Sequence, residues 1–397
     1  MKKLLVTMMI LCLTATTLAG CLERSELNTL GLVSGIGIDL TDEGYDVTVQ
    51  VLNPASLANN SSALPVYSLQ ATGKTIFEAF QRIDQQTTTT LFLPHLNVIV
   101  MNEKLAESGI NPVLNFALRH TDIRPDINLL VAKGATANHV LNVLASVDIA
   151  PAGELDISTN MAFTHTARLV DLNLYEIVGM SNTSAVNMVL NVVSINHEHP
   201  DQHADENQDD GNIKNTQTVT PNAQLRIEHL AVFQSDKLIG FLDDEQAQLY
   251  NIFMDNHKRY AFHIIIEEEY YTAVEITRTK TRIEPDLANN QATVHIDLKA
   301  MIVENSYPID LTTQDNLNAM GDHFEEKLNA DLHDFVAYVQ QDLKTDILSI
   351  GGKAFYKEHR LWEEVEGYWE EKFPEFDITI NLDFKIDSVG EIGNVTM

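Results

Sequence analysis

Apolar and polar positions along this chain recur with two periods, and the switches between them mark its elements. Residues 30–39 are apolar and glycine-spaced, and residues 45–52 alternate in period two. With Asp42-Glu43-Gly44 between them, the two runs predict a β-hairpin. Gly31, Gly35 and Gly37 lack the spacing of a dinucleotide fingerprint and lead into a hairpin rather than a helix. They read as strand positions approached closely by another backbone or a bulky side chain. A polar Asn/Ser loop (53–64) precedes another strand (65–71), and Gly73-Lys74-Thr75 then opens a helix with Ile76, Phe77, Phe80 and Ile83 on one face. These three residues do not make a phosphate loop, because Ser68 stands where its first glycine would be; capping by Thr72 or Thr75 is the expected role.

Further strands are expected at 96–101 and 127–132, with helices at 111–120 and 136–145, an alternation that suggests a mixed sheet with helices packed on it. His95 follows Pro94 at a strand entrance. With no carboxylate or second histidine at catalytic or metal spacing, it reads as a structural residue. Residues 155–180 carry a helical period, and 185–195 read as a buried strand. Composition then changes sharply: residues 197–215 are rich in His, Asp and Asn and nearly devoid of apolar side chains. His197, His199 and His203 with Asp201 and Asp205 are the one candidate metal-ligating set. Asp205, Asn207 and Asp209 approach the start of a calcium loop, but its glycine comes one place late, at Gly211, and Thr216 holds the twelfth place. An acidic solvated loop is the favoured reading, and no metal site is assigned.

Beyond the loop, 223–234 and 237–241 form a second expected hairpin around Ser235-Asp236. Asp243 begins a helix containing Ala247, Leu249, Tyr250 and Phe253, and alternating strands follow at 260–266, 270–279 and 292–303. Over residues 315–348 the stripe Leu317, Met320, Phe324, Leu328, Leu332, Phe335, Val339 and Leu343 predicts one helix of ~50 Å laid across a sheet. Gly351-Gly352 is expected to end it, with Trp362 and Trp369 on a further acidic helix and 376–386 as a closing strand.

At 397 residues the chain is too long for one core. The pattern indicates an α+β protein of mixed α/β domains with antiparallel-rich sheets and a long helix in the C-terminal domain. The expected divisions are 21–150 as an N-terminal α+β domain, 151–222 as a middle region holding the 197–215 loop, either part of the N-terminal half or a second domain, and 223–397 as the C-terminal domain.

The first residues change the picture. Lys2 and Lys3 precede an apolar run, and Leu18-Ala19-Gly20-Cys21 ends it, the layout of a lipoprotein signal peptide over 1–20 with lipidation at Cys21. Removing the leader takes Cys12 with it, leaving one cysteine and no internal disulfide. The formal charge is −31, and loss of Lys2 and Lys3 makes it more negative still. Such a field opposes nucleic acid and polybasic attachment to anionic lipid, so the acyl chains must carry membrane anchoring. No serine elbow, zinc-protease helix, phosphate loop or paired-cysteine site is present, and neither enzymatic activity nor a cofactor is expected.

Several short runs occur in a fixed order behind Cys21. They are Glu26-Leu27-Asn28, Gly35-Ile36-Gly37-Ile38-Asp39, Gly73-Lys74-Thr75 with Glu78-Ala79, and Leu93-Pro94-His95. Ile123-Arg124-Pro125, Val131-Ala132-Lys133-Gly134, the run from Leu230 to Phe241, and Trp362 through Trp369 with Phe373-Pro374 and Gly390 follow. In this order they resemble the Ger(x)C family, the lipoprotein C subunits of nutrient germinant receptors in endospore-forming bacteria. The resemblance covers essentially the whole mature chain. The family usually has tryptophan and aspartate directly after the lipidated cysteine, where this chain has Leu22 and Glu23. The resemblance implies three α+β domains and a non-enzymatic subunit on the outer face of the inner spore membrane. It also implies action with an A subunit and a polytopic B subunit, so that nutrients start germination. The alternative is an extracytoplasmic solute-binding lipoprotein that captures the germinant, which would be expected to have two similar lobes around a cleft.

Overall fold

A computed structural model describes residues 30–52, 66–144, 150–181, 186–197, 223–256, 260–267 and 269–390. The chain begins with β1 (Leu30–Leu40) and β2 (Tyr45–Leu52), the expected hairpin, in register from Leu32↔Leu52 to Leu40↔Tyr45 with one irregularity. β3 (Val66–Gly73) pairs antiparallel with β2. Then come α1 (Ile76–Asp84), β4 (Thr90–Phe92), β5 (Val98–Asn102), α2 (Glu103–Ser108), α3 (Asn111–Arg119), β6 (Asn128–Ala132) and α4 (Ala137–Asn142). α5 (Pro151–Thr166), α6 (Leu174–Ser181), β7 (Val189–His197), β8 (Ala223–Gln234) and β9 (Lys237–Leu242) complete a mixed sheet. Its order is β3-β2-β1-β5-β6-β7-β8-β9, with β4 also paired to β1.

The centre of this sheet, β1-β5-β6-β7, is parallel, and its two ends are antiparallel. Parallel strands need both faces covered, which explains why β5 and β6 read as continuous apolar runs. Ile99 and Met101 join α1, α2, α3 and α6 on one face, while Val98 and Val100 join α4 and α5 on the other. The β1 glycines make room for that second layer. A Cβ on Gly35 would stand 2.7 Å from the Ala152 methyl, and one on Gly37 3.1 Å from the Ala137 backbone. Asp39, at the end of β1, fixes α4 by accepting from the Ala137 and Asn138 N–H groups at 2.7 and 3.0 Å.

After α7 (Asp244–Met254) comes a second sheet of β10 (Tyr260–Ile266), β11 (Tyr270–Asp286), β12 (Gln291–Asn305) and β13 (Asp377–Val389) in that order. Its first three strands are antiparallel and β13 runs parallel to β12. α8 (Gln314–Tyr338) crosses its inner face, stacking Phe324 on Phe384 with ring centroids 5.6 Å apart. α9 (Ile350–Lys357), α10 (His359–Val365) and α11 (Trp369–Lys372) lie between α8 and β13.

Five expectations change. Trp362 and Trp369, expected on one helix, lie on two, α10 and α11, separated by a 3-10 turn at Glu366–Tyr368. Phe77 is half exposed; Ile76, Ala79, Phe80 and Ile83 form the buried face of α1. The long helix does not reach residue 348: its 25 α-helical residues span ~38 Å, and a π turn (Val339–Leu343) leads to Lys344 in the left-handed region. The apolar pattern runs on past the helix because Ile347 and Leu348 are buried in the connection that follows. Gly351-Gly352 does not end that helix but lies inside α9. The division at 223 falls between β7 and β8, antiparallel neighbours from Val189↔Val232 to His197↔Ala223. The polar stretch before Ala223 marks a connection between strands of one sheet, and the change of sheet comes between Leu242 and Tyr260.

Candidate functional site

Cys21 lies outside the described residues, as do His199, Asp201, His203, Asp205, Asn207, Asp209, Gly211 and Thr216. His197 ends β7, paired with Ala223. Among the described residues no three His, Cys, Asp or Glu side chains are grouped to hold a metal ion, and no helix is long and apolar enough to cross a membrane. His95 is exposed on a short 3-10 turn, its ring 5.7 Å from that of Phe92. At Gly73-Lys74-Thr75 the chemistry is capping: Thr75 Oγ1 accepts from the Glu78 N–H at 3.1 Å, and Glu78 Oε2 accepts from the Lys74 N–H at 2.9 Å.

One set of polar groups that the fold brings together lies where the two sheets meet. β7 and β8 serve both: Leu190, Val192, Ala231 and Phe233 pack into the core of the first sheet, whereas Val189, Leu230 and Val232 pack with the second. Period two in these strands therefore separates two cores rather than core from solvent. At the β8–β9 turn, Ser235 takes a left-handed conformation (φ 56°) and donates its N–H to Asn187 Oδ1 at 3.1 Å. Asn187 Nδ2 in turn donates to Glu370 Oε1 at 2.7 Å, and Gln234 Nε2 donates to Glu370 Oε2 at 3.1 Å. One carboxylate on α11 thus grips two side chains of the first sheet, in charge-assisted hydrogen bonds.

The neighbouring residue extends the joint inward. Trp369 packs edge to face on Trp362, centroids 5.2 Å apart, and both indoles are buried. Its Nε1–H reaches Asp346 Oδ2 at 3.1 Å. Asp346 also accepts from the Ile350 N–H at 3.2 Å and the Gly351 N–H at 2.6 Å, which caps the start of α9. Burial pushes the Asp346 carboxyl up to about 6, with the Gly351, Ile350 and Trp369 donors acting in the opposite direction. Asp346, Asn187 and Glu370 were not singled out by sequence reasoning. The signal in the residue order was an aspartate directly before the apolar pair Ile347-Leu348, a charge placed in a buried run. Asn187, Gln234, Glu370, Asp346 and Trp369 engage one another in these hydrogen bonds, which hold the two halves together, while the Trp362 Nε1–H beside them is buried without a partner among the described residues.

Two family descriptions match the chain: "Spore germination protein N-terminal domain" over residues 23–195 and "Spore germination B3/ GerAC like, C-terminal" over residues 228–390. Spore germination protein KC of Bacillus subtilis (strain 168) is 24% identical over 408 residues, covering 98% of this chain and 96% of that protein. Spore germination protein B3 of the same organism is 24% identical over 382 residues, covering 95% and 96%. Spore germination protein GerQC of Bacillus cereus is 22% identical over 384 residues, covering 94% and 96%. The crystal structure of the GerBC protein superposes with a TM-score of 0.56 at 20% identity, covering 89% of this chain and 97% of that one, a likeness of fold. With the two matched segments taking in most of its length, and relatives that align across both sides of the joint, this chain belongs to the Ger(x)C family of spore germination proteins, the germinant receptor C subunits.

Proposed function

We propose that this chain is the lipid-anchored C subunit of a nutrient germinant receptor, held through Cys21 at the outer face of the inner spore membrane. It acts there without catalysis, docking with membrane-embedded A and B subunits so that a nutrient signal starts germination. The observation that carries this reading is the order Leu18-Ala19-Gly20-Cys21 ahead of a chain matched to the family at both ends. A diacylglyceryl group on the Cys21 sulfur carries two acyl chains, which give stable attachment where a single chain would not. Germinant capture between two similar lobes is less favoured, because a mixed sheet with a parallel centre and a four-stranded sheet are not matching halves.

Cys21→Ala tests the reading. The variant is expected to leave the membrane fraction and to slow nutrient-triggered germination while leaving germination by non-nutrient agents unchanged. Wild-type nutrient germination with a chain free in solution would overturn it.

A further inference from the structure

β10 is an edge strand whose own sequence carries none of the usual edge protection. β11 pairs with it along one side in unbroken register, from Tyr260↔Ile276 to Ile266↔Tyr270, and among the described residues no strand pairs with the other. Natural edges are blunted by charged side chains, prolines or bulges. The β10 sequence, Tyr-Ala-Phe-His-Ile-Ile-Ile, has no lysine, carboxylate or proline, whereas β13 at the opposite edge of the same sheet has Asp377, Asp383, Lys385 and Asp387. On the open face, Ile265 and Tyr271 form a cross-strand pair with 57% and 60% of their surfaces exposed.

This strand lies along a cleft of about 870 Å³, which every residue from 260 to 267 lines. Leu249 and Ile252 of α7 and Phe335 and Tyr338 of α8 give it an apolar wall, and α5 adjoins the strand. Among the described residues that line it, the charge is one-sided. Arg168 is engaged by Asp244 at 2.6 Å, and Lys327 is engaged by Asp331. Glu245, Glu326 and Asp334 are left without a lysine or arginine of the lining to neutralise them, and His263 and His323 are the other basic groups there.

We infer that this cleft receives an extended cationic segment of a partner protein, which adds to β10 as a fifth strand of the second sheet. Backbone N–H and C=O groups along the outer edge of residues 261–266 supply the hydrogen bonds of strand addition, and alternate side chains of the guest enter the apolar wall. Lysine or arginine on the guest meets the unneutralised carboxylates, which fixes which chain is accepted. The inference rests on the reading of this protein as a docking subunit and names the surface and the chemistry of its guest.

The test uses the purified full-length chain in detergent and a fluorescein-labelled seven-residue peptide of alternating lysine and valine, read by fluorescence anisotropy. Saturable binding is expected, at least tenfold tighter than for the glutamate–valine counterpart, with slowed amide exchange across 260–266. Methylating the amide nitrogens along one edge of the peptide should abolish binding, and the double variant Glu326→Lys/Asp334→Lys should weaken it at least tenfold. Asp122→Lys, outside the cleft, should not change it. Equal affinity for both peptides, undiminished binding of the methylated peptide, or binding without protection of 260–266 would overturn the inference. So would concentration-dependent protection of β10 without peptide, which would make a second copy the occupant. Failure here leaves membrane attachment through Cys21 untouched, because that is read by fractionation, not by peptide affinity.

Discussion

Trp369 donates its indole N–H to Asp346 from 23 residues further along the chain, at 3.1 Å. The carboxylate that receives it also caps α9, so the end of the long helical connection and the start of α11 are held by one buried side chain. Glu370, the next residue, reaches the other way to the first sheet. The two consecutive residues thereby couple the interior of the C-terminal half to the tip of the β8–β9 hairpin.

The carboxyl of Asp346 gives this joint a pH dependence. Its folded-state value, about 6, lies above the ordinary 3.8, so the folded chain binds the proton more tightly than the unfolded one. Its contribution to stability is complete below about pH 4 and is lost as pH rises through about 6. Asp346→Asn is expected to remove that dependence: between pH 4 and 7 the wild type should lose about 3 kcal/mol relative to the variant, two units at 1.4 each. Denaturant unfolding of both proteins at the two pH values measures this, and parallel curves would contradict it.

Gly351 is where α9 passes the indoles. A Cβ there would lie 2.7 Å from Trp369 Nε1 and 2.8 Å from Trp362 Cη2, and both rings are fixed by burial. Gly351→Ala should cost about 1–3 kcal/mol through overpacking, although alanine is the better helix former. A thermal melt that is unchanged or raised would show that the rings move aside freely.

Removing the Glu370 side chain strips partners from Asn187 and Gln234 together. Glu370→Ala is expected to lower stability by about 2 kcal/mol, near 1 for each hydrogen bond. Faster amide exchange should be confined to the β8–β9 turn and the residues around Asn187. Exchange that rises instead throughout the second sheet would mean that the carboxylate supports the whole half and not the joint.

Two glycines should answer oppositely to alanine. Gly35→Ala would drive a methyl to within 2.7 Å of Ala152 and 3.1 Å of Leu141, and should destabilise by about 1–3 kcal/mol as α5 is displaced. At Gly179, in α6, an added methyl would meet no atom within 4 Å, so Gly179→Ala should stabilise by about 0.5–1 kcal/mol. Differential scanning calorimetry on the pair tests whether space or helix propensity decides.

Local contacts were legible in the residue order because they are made between near neighbours. Alternation on either side of Gly44 gave the first hairpin, Thr75 and Asp243 announced helix starts, and Gly35 and Gly37 marked a close approach, whose partners proved to be α4 and α5. The Ger(x)C segments were legible as well, since family identity resides in residue order. Less accessible were features that depend on distant pairing. The composition break before Ala223 could not reveal that β7 and β8 lie side by side, nor could the apolar Ile347-Leu348 reveal that the helix had already ended at Lys344.

By itself, then, the sequence determined the short-range elements, the acidic surface and the family, because backbone periodicity, capping and charge are properties of neighbouring residues. Only the tertiary structure decided that β7 and β8 face two cores, that Asp346 and Glu370 join the halves, and that β10 is an edge strand beside a carboxylate-lined cleft. Those depend on which strands and helices, far apart along the chain, bury the same surface, and no local pattern encodes that choice.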